Sequence, residues 1–164
     1  MRLFALVALT MCAFAANSVL NRIGVAIQGM DPMDFATVRT GAGAGMLWLL
    51  VALRTAPRPA VFTMKRFYGA TALAVYMIGF SLAYITLDAG LGALILFGVL
   101  QIVVFAWAVC EGGTIPVLRW IGAGIALTGL CVLLWPSGGT PVPLNGAVAM
   151  TVAGTSWAVY TLLG

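Results

Sequence analysis

Two long stretches without a charged side chain, Leu91 to Val109 and Trp120 to Trp135, are separated by a short segment holding Glu111, Gly112, Gly113, Pro116 and Arg119. At a rise of ~1.5 Å per residue, the first of them covers ~28 Å as a helix, close to the thickness of a bilayer's hydrocarbon core. The second reaches that length once Ile115 to Leu118 are added. Runs of this length and uniformity fit an antiparallel pair of membrane-crossing helices, and the rest of the chain repeats the pattern.

Composition agrees. The chain is 63% hydrophobic and 7% charged, with a mean hydropathy of +1.12, whereas a soluble domain carries roughly a quarter charged residues. Its 20 glycines suit membrane helices, which use small residues for close approach. The fold class expected is an all-α polytopic membrane protein, a bundle of about six transmembrane helices in contact with the lipid bilayer. The net charge of +4 is spread between apolar runs, so nucleic acid is not an expected partner. Cys12, Cys110 and Cys131 lie in or beside apolar runs and read as buried thiols. There is no histidine, which removes His-based catalysis and most transition-metal chemistry. No nucleophile–base pair or metal cluster is visible, so neither an enzyme nor a cofactor is expected.

In chain order, Leu3 to Leu20 is read as span 1 and not as a cleaved leader, although Ala13-Phe14-Ala15 resembles a cleavage site. Span 2 covers Met33 to Leu53 after the turn Gly29-Met30-Asp31-Pro32. Span 3 covers Phe67 to Leu87, spans 4 and 5 are the pair above, and span 6 covers Leu144 to Leu163. Arg54, Arg58, Lys65 and Arg66 lie between spans 2 and 3 with no acid among them. The positive-inside rule puts that connection, the N-terminus with Arg2, and Arg119 on the cytoplasmic side of a bacterial inner membrane. Arg22, Asp31, Asp34 and Asp88 fall on the other side.

Spans 1 and 6 begin alike: Val7-Ala8-Leu9-Thr10 aligns with Val148-Ala149-Met150-Thr151. If five spans form one unit, span 6 opens a second of opposite direction, the plan of many secondary transporters. Two such units would need about 280–290 residues by this repeat logic.

Three motifs resemble the EamA branch of the drug/metabolite transporter superfamily. They are Cys12-Ala13-Phe14-Ala15-Ala16-Asn17-Ser18-Val19 in span 1, Asp34-Phe35-Ala36-Thr37-Val38-Arg39 at the start of span 2, and Glu111-Gly112-Gly113 followed by Leu118-Arg119-Trp120-Ile121-Gly122-Ala123-Gly124 and Gly129. The resemblance implies ten helices in two five-helix repeats, cytoplasmic termini, and carriage of small organic solutes such as amino acids, metabolites or drugs. Residues 1–135 would be the first repeat and 142–164 the first helix of an incomplete second. The chain departs from the family by lacking helices 7 to 10, which a homo-oligomer or a separate C-terminal half would have to replace. The competing expectation is a non-transporting membrane subunit or a truncated, inactive fragment.

Several polar residues are candidates for solute contact. Thr10, Phe14, Asn17 and Asn21 fall on one helical stripe, which should face the bundle interior because bare amides are costly in hydrocarbon. Such a stripe serves either as a cavity wall or as interhelical glue. Tyr76, Phe80, Tyr84 and Asp88 follow at i+4 steps on span 3, and Phe97, Gln101 and Phe105 on span 4. Two facing aromatic stripes would suit an amphipathic solute, with Tyr76, Tyr84 and Gln101 as its contacts beside Asn17 and Asn21. Arg39 is expected either to snorkel outward to Asp34 or Asp88, or to recognise an anionic solute. Asp88 is the mild candidate for ion coupling. Glu111 is expected to cap the helix after Thr114-Ile115-Pro116, or else to gate. Trp120 and Trp135 read as interfacial anchors, and Gly41, Gly45, Gly122, Gly124 and Gly129 as close-packing positions.

Overall fold

The computed structural model describes residues 2–53, 63–112, 116–134 and 142–164, and every regular element among them is helical. Helix α1 spans Arg2–Arg22 and continues through one wider π-helical stretch, Ile23–Ile27; α2 is Pro32–Ala52, α3 Met64–Ala83, α4 Ala89–Cys110, α5 Val117–Leu134 and α6 Leu144–Leu163. Five of these helices are long and apolar enough to cross a membrane, and α5 adds a shorter apolar stretch, Val117–Gly129. The chain is thus an all-helical protein of multi-pass membrane character.

Local chemistry explains the boundaries. The first helix ends where Gly29 takes φ +67°, and Asp31 then caps α2 by accepting from the backbone N–H groups of Met33 (2.8 Å) and Asp34 (3.3 Å). Pro32 opens that helix, where its missing N–H costs nothing. Gly112, at φ +72°, follows the C-cap Glu111 and closes α4. Span 3 is shifted relative to the sequence expectation. It starts at Met64, drawing Lys65 and Arg66 into its first turn, and stops at Ala83, because Tyr84 to Leu87 curl into a turn bonded back to Leu82 and Ala83. The Pro136-to-Pro141 break, Trp135, Arg54 and Arg58 lie outside the described residues.

The organising helix is α6, which lies between α3 and α4. A Cβ on Gly79 would come within 3.0 Å of the Ala149 carbonyl, and one on Gly154 within 3.0 Å of the Leu96 carbonyl. Backbones therefore meet almost directly on both sides of α6, the close approach that small residues permit in membranes. The core around this seam contains Tyr76, Phe80, Tyr84, Leu87, Leu96 and Met150. Gly146 sits against Thr86 and Leu87 at one end of the seam, and Tyr160 lies near Gly69 at the other. Thus α6 runs antiparallel to α3.

The glycines singled out in sequence are not the ones used. Gly41, Gly43 and Gly45 on α2, and Gly122, Gly124 and Gly129 on α5, have open space where a Cβ would stand. None of the six touches the α6 seam, although Gly41 borders the space between α2 and α3. Helix α5 packs on α4, and α2 packs on α3. The three cysteines are likewise exposed at the apolar surface rather than buried.

Candidate functional site

Helix α1 presents its stripe to the bundle as its 3.6-residue period requires. Thr10, at the outward end, merely returns its hydroxyl to the Leu6 carbonyl (2.8 Å). Phe14 meets Phe97 of α4 and Trp157 of α6 edge-on, at centroid distances of 5.7 and 5.5 Å. Asn17 is half-buried and faces the Tyr76 hydroxyl. Asn21 is fully buried, with neither amide atom hydrogen-bonded.

Tyr76 is where four helices converge. Its ring lies 5.3 Å from Trp157 and 5.3 Å from Phe80, and its hydroxyl faces both Asn17 and Arg39. Arg39 reaches this point from α2. Its Nη2 lies 2.8 Å from the Met77 sulfur and its guanidinium 5.0 Å from the centroid of the Phe80 ring, a cation–π distance. Its Nη1 is buried without a partner. The outward snorkel expected of Arg39 is not what the chain adopts: the side chain turns inward, and Asp88 is bound elsewhere. Met77 also lines a groove of ≈ 420 Å³ between α2 and α3, together with Ala36, Thr37, Thr40 and Gly41.

Asp88 pairs with Arg22 at 3.3 Å, and Arg22 also donates to the Tyr84 carbonyl at 3.0 Å. This carboxylate is 85% exposed and stands at the start of α4, outside the buried cluster. It ties the end of α1 to the α3–α4 turn.

Gln101 does not join Tyr76, and Tyr84 reaches it only through Phe80, whose ring lies 4.8 Å from that of Tyr84. Tyr84 is fully buried, its hydroxyl donates to the Ala89 carbonyl at 3.3 Å, and its ring occupies the space a Cβ on Gly92 would need. It fastens the α3–α4 turn and offers no free face to a solute. Gln101 is exposed and lies in an apolar groove between α4 and α5, with Ile102, Phe105 and Leu127. The span 4 stripe therefore divides: Phe97 goes to the Tyr76 cluster, while Phe105 meets Trp120 of α5 at 4.8 Å. Steps of i+4 advance about 40° around a helix, so three such residues need not share one neighbour. Glu111 is exposed and is the C-cap of α4; Thr114 and Ile115, part of the helix-start signal it was expected to cap, lie outside the described residues.

Sequence reading missed Trp157, which links Phe14, Tyr76 and Phe97. A signal was present: Trp157 falls well inside α6, whereas membrane tryptophans concentrate at interfaces. It also missed Ser81, buried with an unpartnered hydroxyl, and Arg22 as the partner of Asp88.

The chain is 41% identical over 163 residues, 99% of its length, to an uncharacterized protein of Pseudomonas aeruginosa. That match covers 56% of the relative, so the chain spans about half the length of the curated relative it matches. No family model matches the chain, and no solved structure does.

Proposed function

We propose that the chain forms part of an alternating-access carrier of small organic solutes, of the EamA type, in a bacterial inner membrane with its N-terminus in the cytoplasm. One observation carries this reading. Arg39, Tyr76 and Asn17 gather inside a bundle whose outer surface is almost wholly apolar, and Asn21 is buried without a partner one turn further along α1. Polar groups at such depth are expensive and mark solute or ion paths, and carriers built from inverted units hold their solute where the units meet. Two further facts support it. Phe14 meets Trp157, Arg22 reaches the Tyr84 turn, and Gly146 abuts Leu87, so α6 runs opposite to α1, as the first helix of an inverted unit would. The relative's length, about 290 residues from the 163 matched at 56% coverage, is that of two five-helix units. The carrier would take its remaining helices from further chain, a second copy or a partner.

The test is counterflow of a labelled mixture of amino acids and other small metabolites in liposomes, with the chain alone and with the remainder of the Pseudomonas relative supplied. Saturable flux in either preparation is expected; its absence from both discards the carrier. A second reading, a non-transporting subunit, is favoured by the open glycine faces of α2 and α5. It expects a stable heteromeric complex by native mass measurement and no flux.

A further inference from the structure

We infer that Arg39 is the counter-charge for a carboxylate on the carried solute, and that Phe14, Tyr76, Phe97 and Trp157 receive the solute's apolar or aromatic body. The inference rests on the carrier reading and names its substrate class.

The argument begins with a charge count. The chain has four acidic residues, and none faces Arg39. Asp88 is bound to Arg22. Asp31 spends its carboxylate on the first N–H groups of α2. Asp34 lies in the exposed first turn of α2, five positions before Arg39 and so on a different face. Glu111 sits at the far end of α4. The guanidinium instead meets a thioether, a phenyl ring and phenol hydroxyls, all neutral, and leaves Nη1 without a partner. A buried cation held only by neutral groups is poorly compensated, and the guanidinium fork matches a carboxylate's two oxygens.

Independent of the charge, Asn21 is fully buried on the face of α1 that carries Asn17, and both its amide atoms lack partners. Buried polar atoms are rarely left so. Unused donors on two helices and an adjoining wall of four aromatic rings describe a solute with an anionic head and an apolar body. A cationic head would meet Arg39 with repulsion.

The test uses the full chain in nanodiscs and three matched pairs of probes: phenylacetate, indole-3-acetate and hexanoate, each against its uncharged amide. At least one acid is expected to bind at least tenfold more tightly than its amide. Arg39→Lys should keep that preference in weaker form, and Arg39→Gln should bring the ratio to about one. In ligand-free protein, Arg39→Met should leave the thermal midpoint unchanged or raise it, because the charge it removes is unpaired. The inference is overturned if no acid outbinds its amide, if Arg39→Gln retains the preference, or if Arg39→Met lowers the ligand-free midpoint by several degrees as a structural cation would. Flux of the uncharged amides, undiminished in Arg39→Gln, would overturn it while leaving the carrier reading standing. Acid-selective binding without flux would do the reverse.

Discussion

Tyr84 and Gln101 look alike in sequence, each a polar tip on an apolar helix face, yet they end in unrelated surroundings. Tyr84 is sealed into the α3–α4 turn against Gly92, and Gln101 lies in a groove on the far side of α4. Tyr84→Phe should cost the hydroxyl's bonds to the Ala89 carbonyl and to Ser18, about 0.5–1.5 kcal/mol each. Gly92→Leu should cost more, because the Tyr84 ring fills that space. Thermal unfolding in detergent measures both, and the reverse ranking would contradict the packing described for this turn. What sequence could show at this scale was that Asn17 and Asn21 turn inward, since periodicity and the cost of bare amides suffice for that. It could not show which way Arg39 bends, because that depends on Phe80 and Met77, some forty positions away on another helix.

At the scale of elements, helix number and approximate extent were legible, because apolar run length and the Gly and Pro breaks decide them. The contacts between helices were not. A small-xxx-small pattern says that a face permits close approach, but the partner is chosen by tertiary packing, and six glycines on α2 and α5 have none. The consequence is measurable. Gly79→Val or Gly154→Val should push α6 off its seat at a cost of about 1–3 kcal/mol, the usual range for overpacking. Gly122→Val and Gly43→Val should fall within about 1 kcal/mol of the parent, reflecting helix propensity alone. Equal losses at all four positions in detergent-solubilised chain would mean that the glycine faces of α2 and α5 are packed as tightly as the α6 seam.

For the whole molecule, the antiparallel course of α3 and α6 and the Arg22–Asp88 pair place the α1–α2 and α3–α4 connections at the same end of the bundle. The start of α3 lies at the opposite end. In a cysteine-free background, Lys65→Cys and Asp88→Cys should therefore react with a membrane-impermeant thiol reagent from opposite sides, Lys65→Cys from the cytoplasm. Labelling of both from one side would contradict the described course of α3.

The union of Arg22 with Asp88 and the Tyr84 carbonyl has a mechanical meaning. It fastens the first helix at its far tip, Phe14 braces the middle, and the half from Leu3 to Met11 is exposed. A rod pinned at one extremity swings most at the other. The fulcrum is then the α3–α4 turn, and the sweep belongs to the opposite end of the bundle, where α3 begins.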